Sequence, residues 1–365
     1  MTGVRRVALV GTGLIGGSVG MALRRAGVEV VGIDPDADRA ARARVMGAVD
    51  LVASSLDEVA ARVDAVVVAV PVGAVADVVV AALDAGAPIV TDVGSVKAPV
   101  VSAVEAARPA LASRFVGGHP MAGSEQEGLD GASVDLFAGA TWVLTPTALT
   151  DTAVFATVRS LVGDLGADTI ALAPDIHDAL VAVVSHVPQL AASTLMNVAN
   201  DRSDRHAVML RLAAGGFRDM TRIASGNPGI WPDICVANRD AIITALDQYL
   251  AALMQARAAV AEGDRDAIGT MLATAQRGRR NLPTGLPDDQ ALSELRIPIP
   301  DQPGQLLAVT TIAARVGVNI VDFEIAHSLE GNRGVIVCVV PTTSADGFEA
   351  ALVADGYHVG RTDLT

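Results

Sequence analysis

The glycine-rich turn Gly11-Thr12-Gly13-Leu14-Ile15-Gly16 constrains the fold of this chain more than any other segment. It follows a buried-strand pattern at Arg5–Val10 and precedes a helical pattern that runs to about Gly27, and Asp34 closes the next strand-like run. Strand, GxGxxG turn, helix, strand and acidic residue in this order are typical of a dinucleotide-binding unit. The predicted cofactor-binding residues are Gly11, Gly13, Leu14, Ile15, Gly16, Asp34 and Pro71.

The residues that follow Asp34 bear on the choice of nucleotide. Asp36 and Asp38 make the loop acidic, and an acidic loop repels a 2′-phosphate, which favours NAD over NADP. Arg39 argues in the other direction, because an arginine near this loop can bind that phosphate. We predict NAD as the cofactor, and we predict no metal because the histidines lack metal-ligand spacing.

The hydrophobic pattern changes twice along the chain. Strand-like runs alternate with helical patterns, which predicts an α/β domain with a doubly wound parallel sheet over residues 1–173. Helical patterns alone predict a helical domain over 174–283, and the order βαββαβ predicts a small sandwich over 293–365, after a linker at 281–289. The later predicted strands of the first domain are Val63–Val70, Pro88–Val93, Arg114–Gly117, Thr141–Thr145 and Asp168–Leu172, and the predicted helices of the second are Asp175–Ala199, Arg205–Leu212, Ile230–Ala261 and Arg265–Arg280.

Composition excludes several classes of protein. The 365 residues carry a formal net charge of -14, which argues against a nucleic-acid partner, since such binding requires basic side chains that neutralise phosphates. No uninterrupted apolar run reaches the length of about eighteen residues expected of a membrane span, and the N-terminal apolar stretch is interrupted by glycines, unlike a signal peptide. The two cysteines, Cys235 and Cys338, are far apart, which fits a reducing compartment. We therefore expect a soluble, cytoplasmic protein without a membrane partner.

Two polar side chains follow neighbouring predicted strands. Ser95 comes after Pro88–Val93 and His119 after Arg114–Gly117, and ligands of an open parallel sheet bind beyond the carboxyl ends of its strands. A neutral histidine can take a proton from a hydroxyl, so we predict His119 and Ser95 as catalytic residues beside a nicotinamide ring. Lys97 is the only lysine in the chain; it is either retained for structure or ligand placement, or left over from an arginine-rich composition.

Four segments resemble the prephenate dehydrogenase family, which comprises prephenate and arogenate dehydrogenases. They are 92–97 (DVGSVK), 118–125 (GHPMAGSE), 185–189 (SHVPQ) and 216–224 (GFRDMTRIA), the last followed by Trp231 and Asn238. The resemblance implies NAD-dependent oxidative decarboxylation of prephenate to 4-hydroxyphenylpyruvate in tyrosine biosynthesis. An arogenate dehydrogenase or a dual-specificity cyclohexadienyl dehydrogenase is the alternative within the family.

The resemblance also implies roles for individual residues. His119 would accept the proton or hydrogen bond of the ring hydroxyl, Ser95 would support the same hydroxyl, and Arg222 would clamp a substrate carboxylate. Gln189 stands where the family often carries a second histidine, which leaves the preference for a pyruvyl or an alanyl side chain open. His186 contacts either the substrate or its neighbouring helix. The predicted substrate-binding residues are Ser124, Glu125, His186, Gln189, Arg218 and Arg222.

Residues 293–365 resemble an ACT domain through Asp301-Gln302-Pro303-Gly304 and Gly317-Val318-Asn319-Ile320. This resemblance implies an aromatic amino-acid effector bound between paired subunits, while a module that only dimerises is the alternative. The apolar stretches Ala179–Leu195 and Ala241–Ala259 predict a homodimer. Trp231 and the remaining histidines, namely His177, His206, His327 and His358, are predicted to be structural.

Two other functions compete with this prediction. A β-hydroxyacid dehydrogenase also joins a dinucleotide domain to a helical one, but it uses a lysine in the helical domain, where this chain has none. A non-catalytic NAD- and amino-acid-binding regulator would have no need for Ser95, His119 and Arg222 together.

Overall fold

A computed structural model of the protein describes residues 3–124, 126, 128–203, 215–280, 291–300, 302–327 and 333–364. The chain divides into two compact units, Met1–Ala252 and Leu253–Thr365, and this division falls inside a helix. Secondary structure changes from strands to helices at Pro174 and returns to strands at Leu292. The domain ranges derived from the sequence stay a prediction.

The first unit is built on an eight-stranded sheet. Its strands are β1 Arg6–Val10, β2 Glu29–Ile33, β3 Leu51–Val52, β4 Ala65–Val68, β5 Val90–Asp92, β6 Phe115–Pro120, β7 Thr141–Thr145 and β8 Asp168–Ala171, in the spatial order β3-β2-β1-β4-β5-β6-β7-β8. The helices between them are α1 Leu14–Arg25, α2 Ala37–Val45, α3 Val72–Asp84, α4 Ala98–Ala107 and α5 Thr152–Asp164.

Strand β1 shows why helices cover both faces of this sheet. Successive side chains of a strand point to opposite faces. Val7 and Leu9 belong to one buried cluster, and Ala8 and Val10 belong to another, on the other face of the sheet. Both faces therefore need a helical cover, as the doubly wound prediction requires.

Two strands, β7 and β8, run in the direction opposite to that of the predicted all-parallel sheet. β7 runs antiparallel to β6 and pairs Val143 with His119, while β8 then runs parallel to β7. Parallel neighbours need a crossover of about a dozen residues or more, usually a helix. The described residues between β6 and β7 form only a 3-10 turn, Gly128–Gly131, so the chain returns beside β6 in the opposite direction. His119 also lies inside β6, which extends to Pro120, and not after the strand as predicted.

Helices form the chain from Pro174 to Arg280. They are α6 Pro174–Val181, α7 Val187–Ser203, α8 Gly215–Thr221, α9 Trp231–Ala237, α10 Arg239–Glu262 and α11 Arg265–Arg280. A π-helical segment, Ala182–His186, joins α6 to α7, so the predicted helix 175–199 is continuous but contains one wider turn. The predicted helix Arg205–Leu212 lies outside the described residues.

In the described part of the chain, one helix, Pro174–Asp201, meets the length and composition of a membrane span. This helix carries His177, Asp178 and His186, and all three are buried. Their hydrogen-bond partners lie on other elements of the first unit. Buried, paired polar groups of this kind are expected of a core helix in a globular protein.

The second unit contains an antiparallel sheet. Its strands are β9 Leu292–Pro300, β10 Asp322–His327, β11 Arg333–Pro341 and β12 Gly360–Leu364, in the order β10-β11-β9-β12, with helices α12 Gln305–Arg315 and α13 Thr342–Ala354 between them. Inward residues such as Leu295, Ile297 and Phe348 form one buried cluster. The predicted βαββαβ order is confirmed, while the linker 281–289 and Asp301 lie outside the described residues.

Candidate active site

The turn between β1 and α1 has the shape that a dinucleotide needs. Gly11 has a φ of +92°, and a Cβ at this position would lie 2.3 Å from the carbonyl oxygen of Ala69. A Cβ on Gly16 would lie 2.0 Å from the carbonyl oxygen of Gly11, so only glycine lets α1 begin this close to the turn. At Gly13 no atom comes within 4 Å of such a Cβ, which leaves open space beside the turn.

The start of α1 offers donors to that space. Gly13 caps the helix without a side-chain hydrogen bond, and Leu14 and Ile15 form its first turn. The first N–H groups of a helix lack partners within the helix and favour phosphate. At the end of β4, Pro71 caps α3 at the same edge of the sheet. These residues fit the pyrophosphate of a dinucleotide.

Asp34 is fixed at the end of β2. Its Oδ2 accepts hydrogen bonds from the backbone N–H and the hydroxyl of Thr12, both at 2.9 Å. Arg39 is the residue that argued against NAD in the sequence. Its two terminal guanidinium nitrogens lie 3.3 Å from Oδ1 of Asp34 and 3.3 Å from Oδ2 of Asp36. Two carboxylates therefore hold its guanidinium.

The ends of β5 and β6 are joined by a buried ion pair. The Nζ of Lys97 donates hydrogen bonds to the carboxylate of Asp92 and, at 2.8 Å, to the carbonyl oxygen of Gly118. The side chains of Lys97 and Asp92 are both fully buried. Asp92 also accepts from the backbone N–H groups of Gly94 at 2.9 Å and Gly118 at 3.1 Å. Of the two interpretations of Lys97, the structure supports retention for structure, because this pair fixes the strand end that carries His119.

Glycine at position 118 makes room for this pair. A Cβ there would lie 2.5 Å from the carbonyl oxygen of Asp92 and 2.9 Å from Nε1 of Trp142. Backbone atoms at such a distance must shift. The glycine that precedes His119 is therefore required by the close approach of β5 and β6.

His119 is hydrogen-bonded to a second histidine. Its Nδ1 lies 2.8 Å from Nε2 of His177, and Nδ1 of His177 lies 2.7 Å from Oδ1 of Asp178. The carboxylate of Asp178 accepts from the backbone N–H of Lys97 and that of Ala98, each at 2.8 Å. A continuous chain of hydrogen bonds thus runs from the start of α4 to the ring of His119.

This chain corrects the view of His177 as a histidine without partners. The sequence offered a weak signal, because His177 and Asp178 are polar neighbours directly before the apolar run Ala179–Val184. No spacing motif connects them to His119, which lies 58 positions earlier. Their contact depends on how α6 packs beside β6 and α4.

Burial is the main cause that holds the pKa of His119 well below its ordinary value of 6.5. The neighbouring His177, Lys97 and His186 lower it further, because each disfavours a positive charge on the ring. His119 is therefore a neutral imidazole at neutral pH, the form that can accept a proton or a hydrogen bond.

His186 occupies a different hydrogen-bond environment in the π segment. The Nδ2 of Asn238 donates to the carbonyl oxygen of Asp178 at 2.9 Å and lies 3.2 Å from Nδ1 of His186. Because a carbonyl only accepts, that atom of Asn238 is the amide nitrogen, and Nδ1 of His186 is the acceptor. Burial lowers the pKa of His186 to about 4, and the ring of Trp231 lies edge-on at 6.1 Å. A neutral His186 then carries its proton on Nε2.

The other predicted site residues are less enclosed. Ser95 follows β5 and is half-buried, and Ser124 is exposed, with its hydroxyl accepting from the N–H of Gln126 at 3.1 Å. Glu125 lies outside the described residues. Gln189 is buried, and its Nε2 lies 3.4 Å from the hydroxyl of Ser193.

Arg218 and Arg222 are both exposed. The helix α8 that carries Arg218 ends at Thr221, and Arg222 begins a 3-10 turn, so the two do not share one continuous α-helical face. Their neighbours Met220 and Ile223 line an apolar pocket of about 510 Å³ together with side chains of α7 and α10. The structure thus gives His119 and His186 buried hydrogen-bond partners, places Ser95 after β5, and leaves the arginines on the surface.

Comparison with known proteins identifies the family. The model of the prephenate dehydrogenase nucleotide-binding domain matches residues 19–171, and the model of the prephenate dehydrogenase dimerization domain matches residues 173–274. A prephenate dehydrogenase of Bacillus subtilis is 32% identical over 90% of this chain and 90% of its own length. The chain belongs to the prephenate dehydrogenase family.

Solved structures of this family share the fold. Prephenate dehydrogenase from A. aeolicus, in complex with hydroxyphenyl propionate and NAD+, is 29% identical with a TM-score of 0.69, over 75% of this chain and 97% of that one. Synechocystis arogenate dehydrogenase is 29% identical with a TM-score of 0.66, over 75% of this chain and 98% of that one. The prephenate dehydrogenase family thus includes structures named for either substrate.

The two family models meet where the architecture changes. The first ends with β8 and the second begins beside α6. His119 falls in the nucleotide-binding match, while His177, Asp178 and His186 fall in the dimerization match. In this prephenate dehydrogenase family member, the hydrogen-bond chain therefore crosses from one matched region to the other.

Proposed function

We propose that this protein uses NAD to convert prephenate into 4-hydroxyphenylpyruvate and CO₂, with His119 as the group that polarises the ring hydroxyl. The observation that carries the proposal is the hydrogen-bonded His119 near the end of β6, on a sheet whose β1–α1 turn fits a dinucleotide. Membership of the prephenate dehydrogenase family supports the same substrate class.

The chemistry needs only a few groups from the protein. NAD+ bound at the glycine turn supplies the acceptor for the hydride that leaves ring carbon C4. His119 would accept the proton or hydrogen bond of the C4 hydroxyl as that hydride departs, and it would return the proton to the oxygen once the ring is aromatic. Ser95 would support the same hydroxyl. The bond from C1 to the ring carboxylate then breaks, CO₂ leaves, and its electron pair completes the aromatic ring. Positioned acid–base help of this kind contributes ~10²–10⁴-fold to a rate.

The other end of the substrate would meet donors. Arg222 supplies a guanidinium, which suits the planar geometry of a carboxylate. A neutral His186 with its proton on Nε2 supplies a hydrogen bond without a charge. Arg218, Ser124 and Glu125 complete the predicted substrate-binding set.

Arogenate, or both substrates, is the second candidate, and Gln189 is the observation that favours it. The buried amide stands where the family often carries a histidine, and an amide cannot become positively charged. An alanyl side chain, which carries its own ammonium group, then meets no opposing cation at this position.

Steady-state formation of NADH with prephenate and with arogenate tests the proposal. We expect turnover with prephenate and its loss in His119→Asn, while His358→Gln, a change at an exposed histidine of the second unit, leaves the rate unchanged. Turnover with arogenate alone would replace the first candidate by the second. No turnover with either substrate would contradict both.

Asp34 supports NAD as the preferred dinucleotide. Its carboxylate, held by Thr12, would accept hydrogen bonds from the ribose hydroxyls, and the acidic loop opposes a 2′-phosphate. We expect kcat/KM to be higher with NAD than with NADP, and we expect the ratio of these two values to be smaller in Asp34→Ser. Equal kcat/KM values for NAD and NADP in the wild-type protein would contradict this assignment.

The helical region supports a homodimer. Ile176, Leu180, Val183 and Val184 expose roughly half or more of their side chains along one helix, and the matching family model is a dimerization domain. A second copy would cover this face. Sedimentation at micromolar concentration should show a dimer, and a monomer would contradict it. A cytoplasmic location stays a prediction.

The βαββαβ module supports regulation by an aromatic amino acid, by its resemblance to an ACT domain. We expect tyrosine, phenylalanine or tryptophan to inhibit the full-length enzyme, and deletion of 288–365 to keep activity but remove the inhibition. If none of the three inhibits the full-length enzyme, the module has the other role considered for it, dimerisation alone.

A further inference from the structure

We propose that His177 and Asp178 are positioning residues that fix the tautomer of His119, so that Nε2 of His119 carries the unshared electron pair that meets the substrate hydroxyl. The inference deepens the proposed function and rests on it. It follows from the direction of each hydrogen bond in the chain that starts at α4.

Asp178 can only accept hydrogen bonds in this chain. Its Oδ1 receives the backbone N–H of Lys97 and its Oδ2 that of Ala98, both at 2.8 Å, so the carboxylate caps the start of α4. The positive end of a helix dipole stabilises an ionised carboxylate there. An ionised carboxylate has no proton to donate.

This fixes the protons on His177. Its Nδ1 lies 2.7 Å from Oδ1 of Asp178, and this nitrogen must therefore carry the proton. A neutral imidazole has one N–H, so Nε2 of His177 is left as an acceptor.

The same step then applies to His119. Its Nδ1 lies 2.8 Å from the accepting Nε2 of His177, so Nδ1 of His119 carries the proton and Nε2 does not. The opposite tautomer would bring two acceptor nitrogens together at that distance. His119 is thus prepared as a proton acceptor before any ligand arrives.

The environment of His186 makes the contrast clear. There Asn238 donates to Nδ1, which leaves the proton of the neutral ring on Nε2. Two histidines of one site are therefore held in opposite tautomers, one by a carboxylate chain and the other by an amide.

Nitrogen NMR of the full-length protein with ¹⁵N-labelled histidine tests the tautomer without turnover. At neutral pH we expect the proton of His119 on Nδ1, with the resonance assigned by its loss in His119→Asn. A proton on Nε2 of His119, or a doubly protonated His177, would overturn the inference. Because this measurement needs no substrate, its outcome is separate from that of the dehydrogenase assay.

Two substitutions at position 177 separate positioning from packing. His177→Gln keeps a carbonyl oxygen that can accept from Nδ1 of His119, while His177→Leu fills similar space without an acceptor. We expect kcat to fall at least about tenfold in His177→Leu and less in His177→Gln, with KM for NAD unchanged in both. Equal kcat values, or a faster leucine variant, would overturn the inference. His358→Gln serves as the control that leaves the tautomer of His119 unchanged.

Discussion

The interior that holds His119 and the surface that holds the two arginines are built in opposite ways. In the interior, Asp92, Lys97, His177 and Asp178 are buried, and each is hydrogen-bonded. On the surface, Arg218 and Arg222 are exposed beside an apolar pocket. The groups that we propose for the hydroxyl are thus fixed by buried hydrogen bonds, whereas those that we propose for the carboxylate lie at the exposed surface.

This difference predicts which kinetic constant a substitution in each region should change. Groups that are positioned before the substrate arrives lower the barrier to reaction, whereas groups that mainly bind the substrate change its affinity. Substitutions in the interior should therefore change kcat or stability, and substitutions on the surface should change KM. The following experiments test that division.

The largest effect is expected from His119→Asn. The amide has a similar size but cannot accept a proton, so we expect kcat to fall by ~10²–10⁴-fold with little change in KM for NAD. Steady-state kinetics measure both constants. A variant that loses NAD affinity but retains kcat would place His119 in binding and break the division.

Lys97→Met should cause a large loss of stability. It leaves the carboxylate of Asp92 buried without its cation, and such a removal costs about 3–5 kcal/mol of the free energy of unfolding. Urea denaturation measures it. The double variant Asp92→Asn with Lys97→Met is the matched control, since it removes both charges and should be more stable than the single variant. Equal stability of the two would show that the charge pair is not the cause.

A pH-dependent stability should follow from His186. Its folded pKa of about 4 lies below the ordinary 6.5, so the unfolded state binds the proton more readily. The free energy of unfolding should therefore fall as the pH drops from 6.5 towards 4, and this contribution should then level off. The loss is on the order of 3 kcal/mol.

The pKa of His119 is lowered too, so His119 also makes stability depend on pH. Because His119 is present in both the wild-type protein and His186→Gln, the difference between the two isolates the contribution of His186. Denaturation curves of the two proteins across that range give the difference. Parallel stability profiles would mean that His186 is not held neutral by the fold.

The smallest effect is expected from Arg222→Ala. Loss of a charge-assisted contact with a carboxylate costs about 2 kcal/mol, or roughly thirtyfold in kcat/KM for prephenate. The residue is exposed, so the free energy of unfolding should change by less than about 0.5 kcal/mol. The same measurements on Arg218→Ala test the other exposed arginine of the predicted substrate-binding set. A fall in kcat with an unchanged KM would place Arg222 on the catalytic side of the division.

Local sequence pattern predicted most of the fold because the relevant signals are local. The turn Gly11–Gly16 and Asp34 are close in sequence, and the alternation of strands with helices follows from burial on both sheet faces. The direction of β7 was missed because it depends on what joins it to β6, where the described residues form no α-helix. Strand pattern alone carries no direction.

The site divides in the same manner. The sequence placed Ser95 and His119 near the ends of two neighbouring strands because such positions follow from the strand pattern, and their catalytic roles stay a prediction. His177 and Asp178 were missed because their role depends on tertiary packing of α6 beside α4 and β6. Arg218 and Arg222 are four residues apart and would share a face of a continuous helix, but the α-helix ends at Thr221.

The wider turn at Ala182–His186 has a consequence for insertions and deletions. One residue of an α-helix corresponds to a rotation of about 100°. Because a π turn closes over one more residue than an α turn, removing a single residue from this segment would restore the regular turn and leave α7, with Val187 and Gln189, facing nearly the same way relative to His177 and Asp178 on α6. A deletion of one residue within the regular turns of α7 would instead rotate the residues that follow by about 100° and change which face of the helix meets the core, so the two deletions have opposite consequences for packing.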